Sequence, residues 1–491
     1  MFAQLFTKVN LLAEGQVKAT KTETLNALRD YFLAQPEMRC FVTNTNGFGH
    51  QVSTVNILLR LIAYGYTGNI KLIYDDAEAD KPTIQKLAIL LPQIVLKPAN
   101  AAPDPITIAN ATGNTTVSFV PKSTYAITSQ VDFGFTGGYD DGNNLARFAG
   151  TNYFLTLQPF QWSKSKNVIS QMVGDTISLD DMETLKPQFF NRAYYYADPT
   201  ISDAQWDDYE HKQNLEDQVE MCMLLLSYLT EDDPEVKNID LCSVYGISNA
   251  FGGLSTLVSS SQNILFNLLC GISYAQDNKP DVFNKPVVVL VQASIISGSY
   301  EDLAEFLKGN NVQGVAKTYA TTSRLGERVV IMEKPTPLSL TDKILGLKAN
   351  QILVVAIPGL PPPIFNQMMY ASSLPMVFEG KNTANLAINF PKPFFYLAKE
   401  SVTVYPTLPI GAEVTSPIAK ACTDTCFTMQ KYRDSWETPA TPARELGQFM
   451  IDSRSVAANP TTTYFSGLAN FYHDELGDKL FLALQAFLAI D

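Results

Sequence analysis

The 491-residue chain is short of positive charge. Lys and Arg together number 36 against 49 Asp and Glu, for a formal net charge of -13. Nucleic-acid surfaces need clustered Lys and Arg, so a nucleic-acid partner is not expected. No run approaches the roughly 18 consecutive apolar residues of a membrane span, so no transmembrane segment is expected. The opening MFAQLFTKVNLLAEGQ has no basic start, no sustained apolar stretch and no small-residue cleavage site. These lacks predict no secretory leader and a cytoplasmic location, although export without a cleaved signal leaves no mark in a sequence. The six cysteines, Cys40, Cys222, Cys242, Cys270, Cys422 and Cys426, mostly lie in apolar surroundings, which predicts reduced, buried thiols. Cys422 and Cys426 form a C-x3-C pair without a second Cys or His pair nearby, so no zinc site is expected. Low-complexity tracts and short repeats are also lacking.

What is present is apolar material in the right quantity. Hydrophobic residues make up 46% and charged residues 17%, which excludes global disorder and supports more than one core at this length. A helical lead-in over residues 1–35 carries Leu25, Leu28 and Phe32 on one face. Arg39–Thr43 then reads as a strand, and Asn44-Thr45-Asn46-Gly47-Phe48-Gly49-His50 as a glycine-bearing loop. A helix follows with Val55, Leu58, Leu59 and Ile62 on one side, then a strand, Ile70–Tyr74, closing on Asp75-Asp76. Strand, glycine loop, helix and strand make a βαβ unit, the seed of a parallel sheet. Residues 100–235 are harder to read, with strand-like stretches at 116–120 and 152–157 around the glycine- and aromatic-rich Phe133–Tyr139. A helix over 213–230 ends at Glu231-Asp232-Asp233-Pro234, where a domain boundary is expected.

The pattern then restarts. Ile239–Tyr245 is a strand leading into Gly246-Ile247-Ser248-Asn249, followed by Gly252-Gly253 and a long apolar helix to about 274. Further strands are expected at Val287–Gln292, Val329–Met332, Ile352–Ile357 and Pro375–Phe378, and helices at Tyr300–Lys308 and Pro363–Ser372. Continuous apolar strands alternating with helices predict a parallel sheet covered on both faces. The expected organisation is an N-terminal Rossmann-like domain over 1–235, a C-terminal nucleotide-binding Rossmann-like domain over 236–410, and a 411–491 extension packing back on them. Its last element is an apolar helix, Leu480–Ile490.

Two loops carry candidate chemistry. In Glu379-Gly380-Lys381-Asn382-Thr383, Gly380 permits a tight turn, and Asn382 or Thr383 is expected to cap a helix over Asn385–Phe390. A helix N-terminus at the carboxyl end of a parallel strand suits a diphosphate, and Lys381 adds a point charge. In the first loop, His50 is either a cap of the following helix or a proton acceptor, since an imidazole with an ordinary pKa near 6.5 can take up a proton near neutrality. Asn46, Gly47 and Gly49 share its loop and Asp75 ends the next strand, so these four are its candidate ligand-side or plain loop neighbours. Gly246, Ser248 and Asn249 are suited to border bound phosphates, or to make an ordinary strand–helix connection. The acidic pairs Asp75-Asp76, Asp140-Asp141 and Asp180-Asp181 read as strand ends and turns, not metal ligands. The aromatics Phe133, Phe135, Tyr139, Phe148, Tyr153, Phe154, Phe160 and Trp162 read first as core, and as lining of a sugar cleft second.

The stretch GLPPPIFNQMMYASSLPMVFEGKNTANLAINFPKPFFYL resembles the donor-binding segment of GT-B glycosyltransferases, and is similar above all to the protein-arginine rhamnosyltransferases. CFVTNTNGFGHQVSTVNILLRLIAYGYTGNIKLIYDD resembles the opening βαβ unit of the same family, with the glycine turn and closing Tyr-Asp-Asp. The resemblance spans about the first 80 residues and the second half to about residue 400. It implies an α/β fold of two Rossmann-like domains facing across a cleft. It also implies metal-independent, inverting transfer of a hexosyl or deoxyhexosyl group from a UDP- or dTDP-sugar, without a further cofactor. The acceptor, whether protein, lipid-linked or small molecule, is not specified. The pattern departs from the rhamnosyltransferases at Glu379, where they carry arginine, and at Lys381 and Asn382, where they carry two acidic residues; Thr383 keeps the hydroxyl. Their aspartate base is His50 here, as in the Gly-Gly-His turn of the branch that adds N-acetylglucosamine to the cell-wall lipid precursor. A nucleotide-sugar epimerase and a catalytically inactive GT-B-like binding module are the alternative expectations.

Overall fold

A computed structural model of the chain describes residues 21–45, 48–77, 82–138, 144–159, 166–181, 215–229, 238–246, 260–292, 299–310, 314–378, 380–396, 440–454, 459–473 and 478–486, with 201, 206 and 209. The described chain divides into two compact units, one of residues 1–198 with 472–491, the other of 199–471.

In the first unit, α1 (Lys21–Leu33) leads into β1 (Glu37–Val42), α2 (Gly49–Ala63), β2 (Asn69–Tyr74) and α3 (Thr83–Leu90). Strands β3 (Ile106–Ala109), β4 (Asn114–Pro121) and β5 (Val131–Thr136) follow, then α4 (Leu145–Ala149), β6 (Thr151–Thr156), β7 (Val168–Gln171) and β8 (Ile177–Ser178). The strands form one sheet in the order β3-β4-β2-β1-β5-β6-β7-β8. Its middle, β4-β2-β1-β5-β6, is parallel, and antiparallel strands extend both edges. Strand β1 is buried from Met38 to Val42, as expected where helices cover both faces. Met38, Cys40 and Val42 join one core with Leu28, Phe32, Leu58, Leu61, Ile84 and Leu87. The alternate residue Phe41 packs with Ile73, Leu145 and Phe154 in a second cluster. Leu59 does not share the buried face of α2: it is 39% exposed, while Ile57 and Leu61 take the inward positions.

The strand β5 reads poorly from sequence because Gly134 interrupts it. A Cβ at Gly134 would overlap the ring of Phe154 on β6, so that glycine makes room for an aromatic neighbour. Phe133, Phe135, Tyr153 and Phe154 are all buried, which settles those four aromatics as core; Tyr139, Phe160 and Trp162 lie outside the described residues.

The first unit is completed by α15 (Lys479–Ala486), whose Leu480, Leu482, Ala483, Leu484 and Ala486 enter the same core as β1. Asp478, fully buried, pairs with Arg60 of α2 at 3.0 Å and accepts from the Leu480 amide at 2.8 Å.

The second unit has the helix α5 (Glu216–Ser227) and strands β9 (Asp240–Val244), β10 (Val287–Val291), β11 (Val329–Met332), β12 (Ile352–Ala356), β13 (Met376–Phe378) and β14 (Phe394–Tyr396). Between β9 and β12 run α6 (Ser260–Asn278), α7 (Ser299–Leu307), α8 (Gly314–Thr322), α9 (Leu325–Arg328) and α10 (Pro337–Gly346). Helix α11 (Pro362–Ala371) precedes β13, and α12 (Lys381–Ala387) follows it. The sheet is parallel throughout, in the order β11-β12-β10-β9-β13-β14. Every residue of β9, β10 and β12 is buried. Both units are therefore α/β, with a Rossmann-like parallel region in each.

Helices α13 (Ala440–Arg454) and α14 (Pro460–His473) also belong to this unit. Gly447 of α13 lies against Tyr274, and Gly271 of α6 against Leu446, so two glycines let these helix backbones approach closely. Arg454 closes the arrangement with a bidentate pair to the buried Asp240 at the start of β9.

The boundary expected at 235/236 falls elsewhere. Val219, Cys222 and Leu225 of α5 share a core with Leu241 of β9 and Leu290 of β10, so α5 belongs to the second unit. The 411–491 stretch is likewise not one extension, since α13 and α14 serve the second unit and α15 the first. Cys40, Cys222, Cys242 and Cys270 are free and buried; Cys422 and Cys426 lie outside the described residues. No helix of the described residues is long and apolar enough to cross a membrane.

Candidate functional site

In an open parallel sheet, ligands bind outside the carboxyl ends of the strands, where the strand order reverses. In the first unit the chain moves from β1 to β2 and β4 on one side, then to β5 and β6 on the other. The reversal lies between β1 and β5. Their loops are the Thr43–His50 segment and the segment beginning Gly137-Gly138.

These two loops interlock. His50 stands in the first turn of α2, with Phe48 at the N-cap, so it is not the helix cap. Its Nδ1 lies 3.1 Å from Thr43 Oγ1. Thr54 Oγ1 donates to the His50 carbonyl at 2.9 Å and accepts from the Gly137 amide at 3.0 Å. A Cβ on Gly137 would overlap the Ser53 backbone, and one on Gly138 would meet Thr43 Oγ1 at 3.0 Å and His50 Cβ at 3.6 Å. Two glycines in sequence thus allow the β5 loop to cross the first turn of α2 beside the histidine. Below, Gln51 Nε2 donates to the Thr43 carbonyl at 2.6 Å. Lys86 of α3, almost fully buried, reaches Asn44 Oδ1 at 3.2 Å and the Thr45 carbonyl.

Burial holds the His50 pKa below the ordinary imidazole value, because desolvation disfavours the charged ring. A half-buried histidine kept neutral at the carboxyl edge of a sheet is suited to accept a proton. Asp75 follows β2, with its amide donating to the Val42 carbonyl at 2.9 Å. Its carboxylate accepts from the Ala77 amide at 3.2 Å and lies 3.8 Å from Lys122 Nζ. Asp76 binds the Ser123 amide at 3.0 Å and the Ser123 hydroxyl, bonds that hold its pKa low. Both carboxylates thus tie down turns. Gly49 lies one residue from His50; Asn46 and Gly47 lie outside the described residues.

In the second unit the order reverses between β9 and β13. Val244 and Val377 are register partners, and the Tyr245 amide donates to the Val377 carbonyl at 2.8 Å. Gly246 and Gly380 therefore leave neighbouring strands at one edge, with φ of 84° and 94°, where only glycine is unstrained. These two loops, singled out separately in the sequence, come together. Helix α12 starts four residues earlier than expected, at Lys381, and its N-cap is Gly380. Asn382 and Thr383 are consequently inside the first turn and do not cap it. Thr383 is buried, and Lys381 Nζ lies 5.7 Å from the ring centroid of Tyr396 at the end of β14. Glu379, Ser248 and Asn249, with the acidic pair Asp140-Asp141, lie outside the described residues.

Sequence reasoning missed three residues here. Lys86 bears on the first loop from another helix, and Thr54 joins two loops through one hydroxyl. The third, Gln292 at the end of β10, looks in sequence like the polar terminus of an apolar strand. Among the described residues, no group of three or more His, Cys, Asp or Glu is gathered as a metal site requires. Comparison with protein-family models finds no match for this chain, and comparison with curated proteins finds none either.

Proposed function

We propose that the chain is a glycosyltransferase of GT-B type that takes a hexosyl or deoxyhexosyl group from a UDP- or dTDP-sugar. One observation carries this reading. In each unit, the loop singled out by its sequence leaves the strand at which the strand order reverses. In the reading, the Gly246 and Gly380 loops of the second unit hold the nucleotide diphosphate, with Lys381 and Thr383 contributing charge and hydroxyl. His50 of the first unit removes the acceptor proton. In the reading the imidazole is the tautomer protonated on Nδ1, 3.1 Å from Thr43 Oγ1, so that Nε2 is the basic nitrogen. Attack on the anomeric carbon with departure of the diphosphate then inverts configuration, and no metal takes part.

The direct test is incubation of the protein with a panel of UDP- and dTDP-sugars. Release of nucleoside diphosphate is followed with water as acceptor and with mixed protein, lipid-linked and small-molecule acceptors. Slow release from one donor, accelerated by one acceptor class, is the expected result. A product isomerised in its sugar without any acceptor would replace the transferase by an epimerase. Absence of both turnover and binding across the panel would overturn the reading.

A further inference from the structure

We propose that Gln292 reads the edge of a nucleobase bound at the carboxyl edge of the second unit's sheet. This deepens the nucleotide-sugar reading and rests on it.

The residue's place follows from strand alternation. Val288 and Leu290 of β10 belong to the core that includes Ile364 and Met368 of α11. Gln292 is the next residue of the same parity, so it extends that face. Its amide donates to the Val244 carbonyl at 2.8 Å, and the Ile357 amide donates to the Val291 carbonyl at 3.1 Å. The ladder therefore continues past the last strand residue and sets Gln292 between Tyr245 and Ile357. The Tyr245 ring meets Phe365 of α11 edge-on, centroids 4.9 Å apart. Gly246, the first loop residue of the proposed phosphate-binding edge, is the next residue after Tyr245.

At this position Gln292 is only 5% exposed. Both its Nε2 and its Oε1 are buried without a hydrogen-bond partner, and among the described residues it is the one amide side chain in that condition. About nine in ten buried polar groups in proteins are paired. An amide with both polar atoms unsatisfied beside a ligand-binding edge points to a ligand that supplies both partners. That ligand must present a donor and an acceptor side by side in one plane, matching the amide N–H and C=O. It must also be flat and largely apolar, to lie against Tyr245 and Phe365. A nucleobase has this combination, and its ribose diphosphate then extends toward Gly246 and Gly380. Because a primary amide can turn over, the imide edge of uracil or thymine and the amino edge of cytosine or adenine all fit. The choice among bases is left to experiment.

The test is calorimetric titration of the full chain with UDP, dTDP, CDP, ADP and GDP. Wild type is compared with Gln292→Met, and thermal unfolding of both proteins is measured without ligand. The wild type is expected to prefer one base. Gln292→Met is expected to bind that nucleotide about tenfold or more weakly, as for a lost buried hydrogen-bonding pair. Its ligand-free Tm should equal or exceed that of wild type, because Met removes an unpaired amide. A lower ligand-free Tm would mark the amide as structural and overturn the proposal. So would equal affinity in the two proteins, or five diphosphates bound alike. Equal affinity with nucleotide-sugar turnover intact would leave the transferase reading standing. Base-specific, Gln292-dependent binding in a protein that turns over no nucleotide sugar would remove the transferase reading and keep the site.

Discussion

His50 Nδ1 and Thr43 Oγ1 stand 3.1 Å apart, the last residue of a strand's exit and the first turn of the following helix joined across seven positions of chain. The contact fixes the ring orientation. If His50 is the base, His50→Ala and His50→Gln should lower turnover by on the order of 10²–10⁴ with donor affinity nearly unchanged. The acidic limb of the wild-type pH profile should lie below the ordinary histidine value, since burial lowers the pKa. Activity should rise as pH climbs through that limb, and both variants should lack it. Turnover near wild type at saturating substrates would remove His50 from the chemistry.

The same depressed pKa has a stability consequence. Below about pH 6.5 the unfolded chain takes up a proton at His50 more readily than the folded one. Its contribution is therefore complete above that pH and is lost as pH falls through the folded value. Urea unfolding of wild type and His50→Gln between pH 5 and 7.5 should converge at the acid end, where the charged imidazole is penalised only in the wild type.

Gly137→Ala should cost about 1–3 kcal/mol or more, because the new methyl overlaps the backbone of Ser53 and neither chain segment has a flexible end to move. The loss should appear in chemical denaturation and be accompanied by slower turnover, since the displaced loop borders His50. An unaffected midpoint would show that the β5 loop is looser than its contacts indicate.

Thr383→Val keeps the volume of a residue only 7% exposed and removes the hydroxyl. Nucleoside diphosphate should bind roughly tenfold more weakly, the worth of one hydrogen bond to a charged group, with little change in Tm. Titrations indistinguishable from wild type would put the diphosphate elsewhere. Turnover in EDTA should match that without it; restoration of an EDTA-inactivated protein by manganese would contradict the metal-free reaction.

Asp478→Asn should cost about 3–5 kcal/mol, because it removes the carboxylate paired with the buried guanidinium of Arg60, itself 9% exposed. Arg60→Met alone should be similarly damaging, and the double variant less so than the sum. Additive losses would mean that the two charges do not depend on each other.

Much of the parallel architecture was legible because apolar strands such as Val287–Val291 have no polar alternative to burial. The loop after β1 was legible for a related reason: glycines between an apolar strand and an apolar helix mark a turn. What stayed hidden depends on partners distant in sequence. Gly134 disguises β5, since the Phe154 ring that demands it lies twenty residues on. The role of α5 depended on a core with β9 and β10 that its own periodicity does not reveal. The start of α12 was misplaced because Asn382 and Thr383 are good cap residues, while Gly380 caps by backbone conformation alone. Gln292 was out of reach altogether, since an unsatisfied amide exists only relative to its surroundings.

Helix α15 bears on the order in which the polypeptide acquires its structure. Residues 1–198 precede Leu480 and Leu484 in the chain, yet the core they build includes both, and Arg60 pairs with Asp478. A chain cut before Asp478 therefore exposes the apolar face that Leu480 and Leu484 cover and removes the carboxylate paired with Arg60. The first unit's core is thus discontinuous in sequence, closed by a helix that the chain makes after the whole of the second unit.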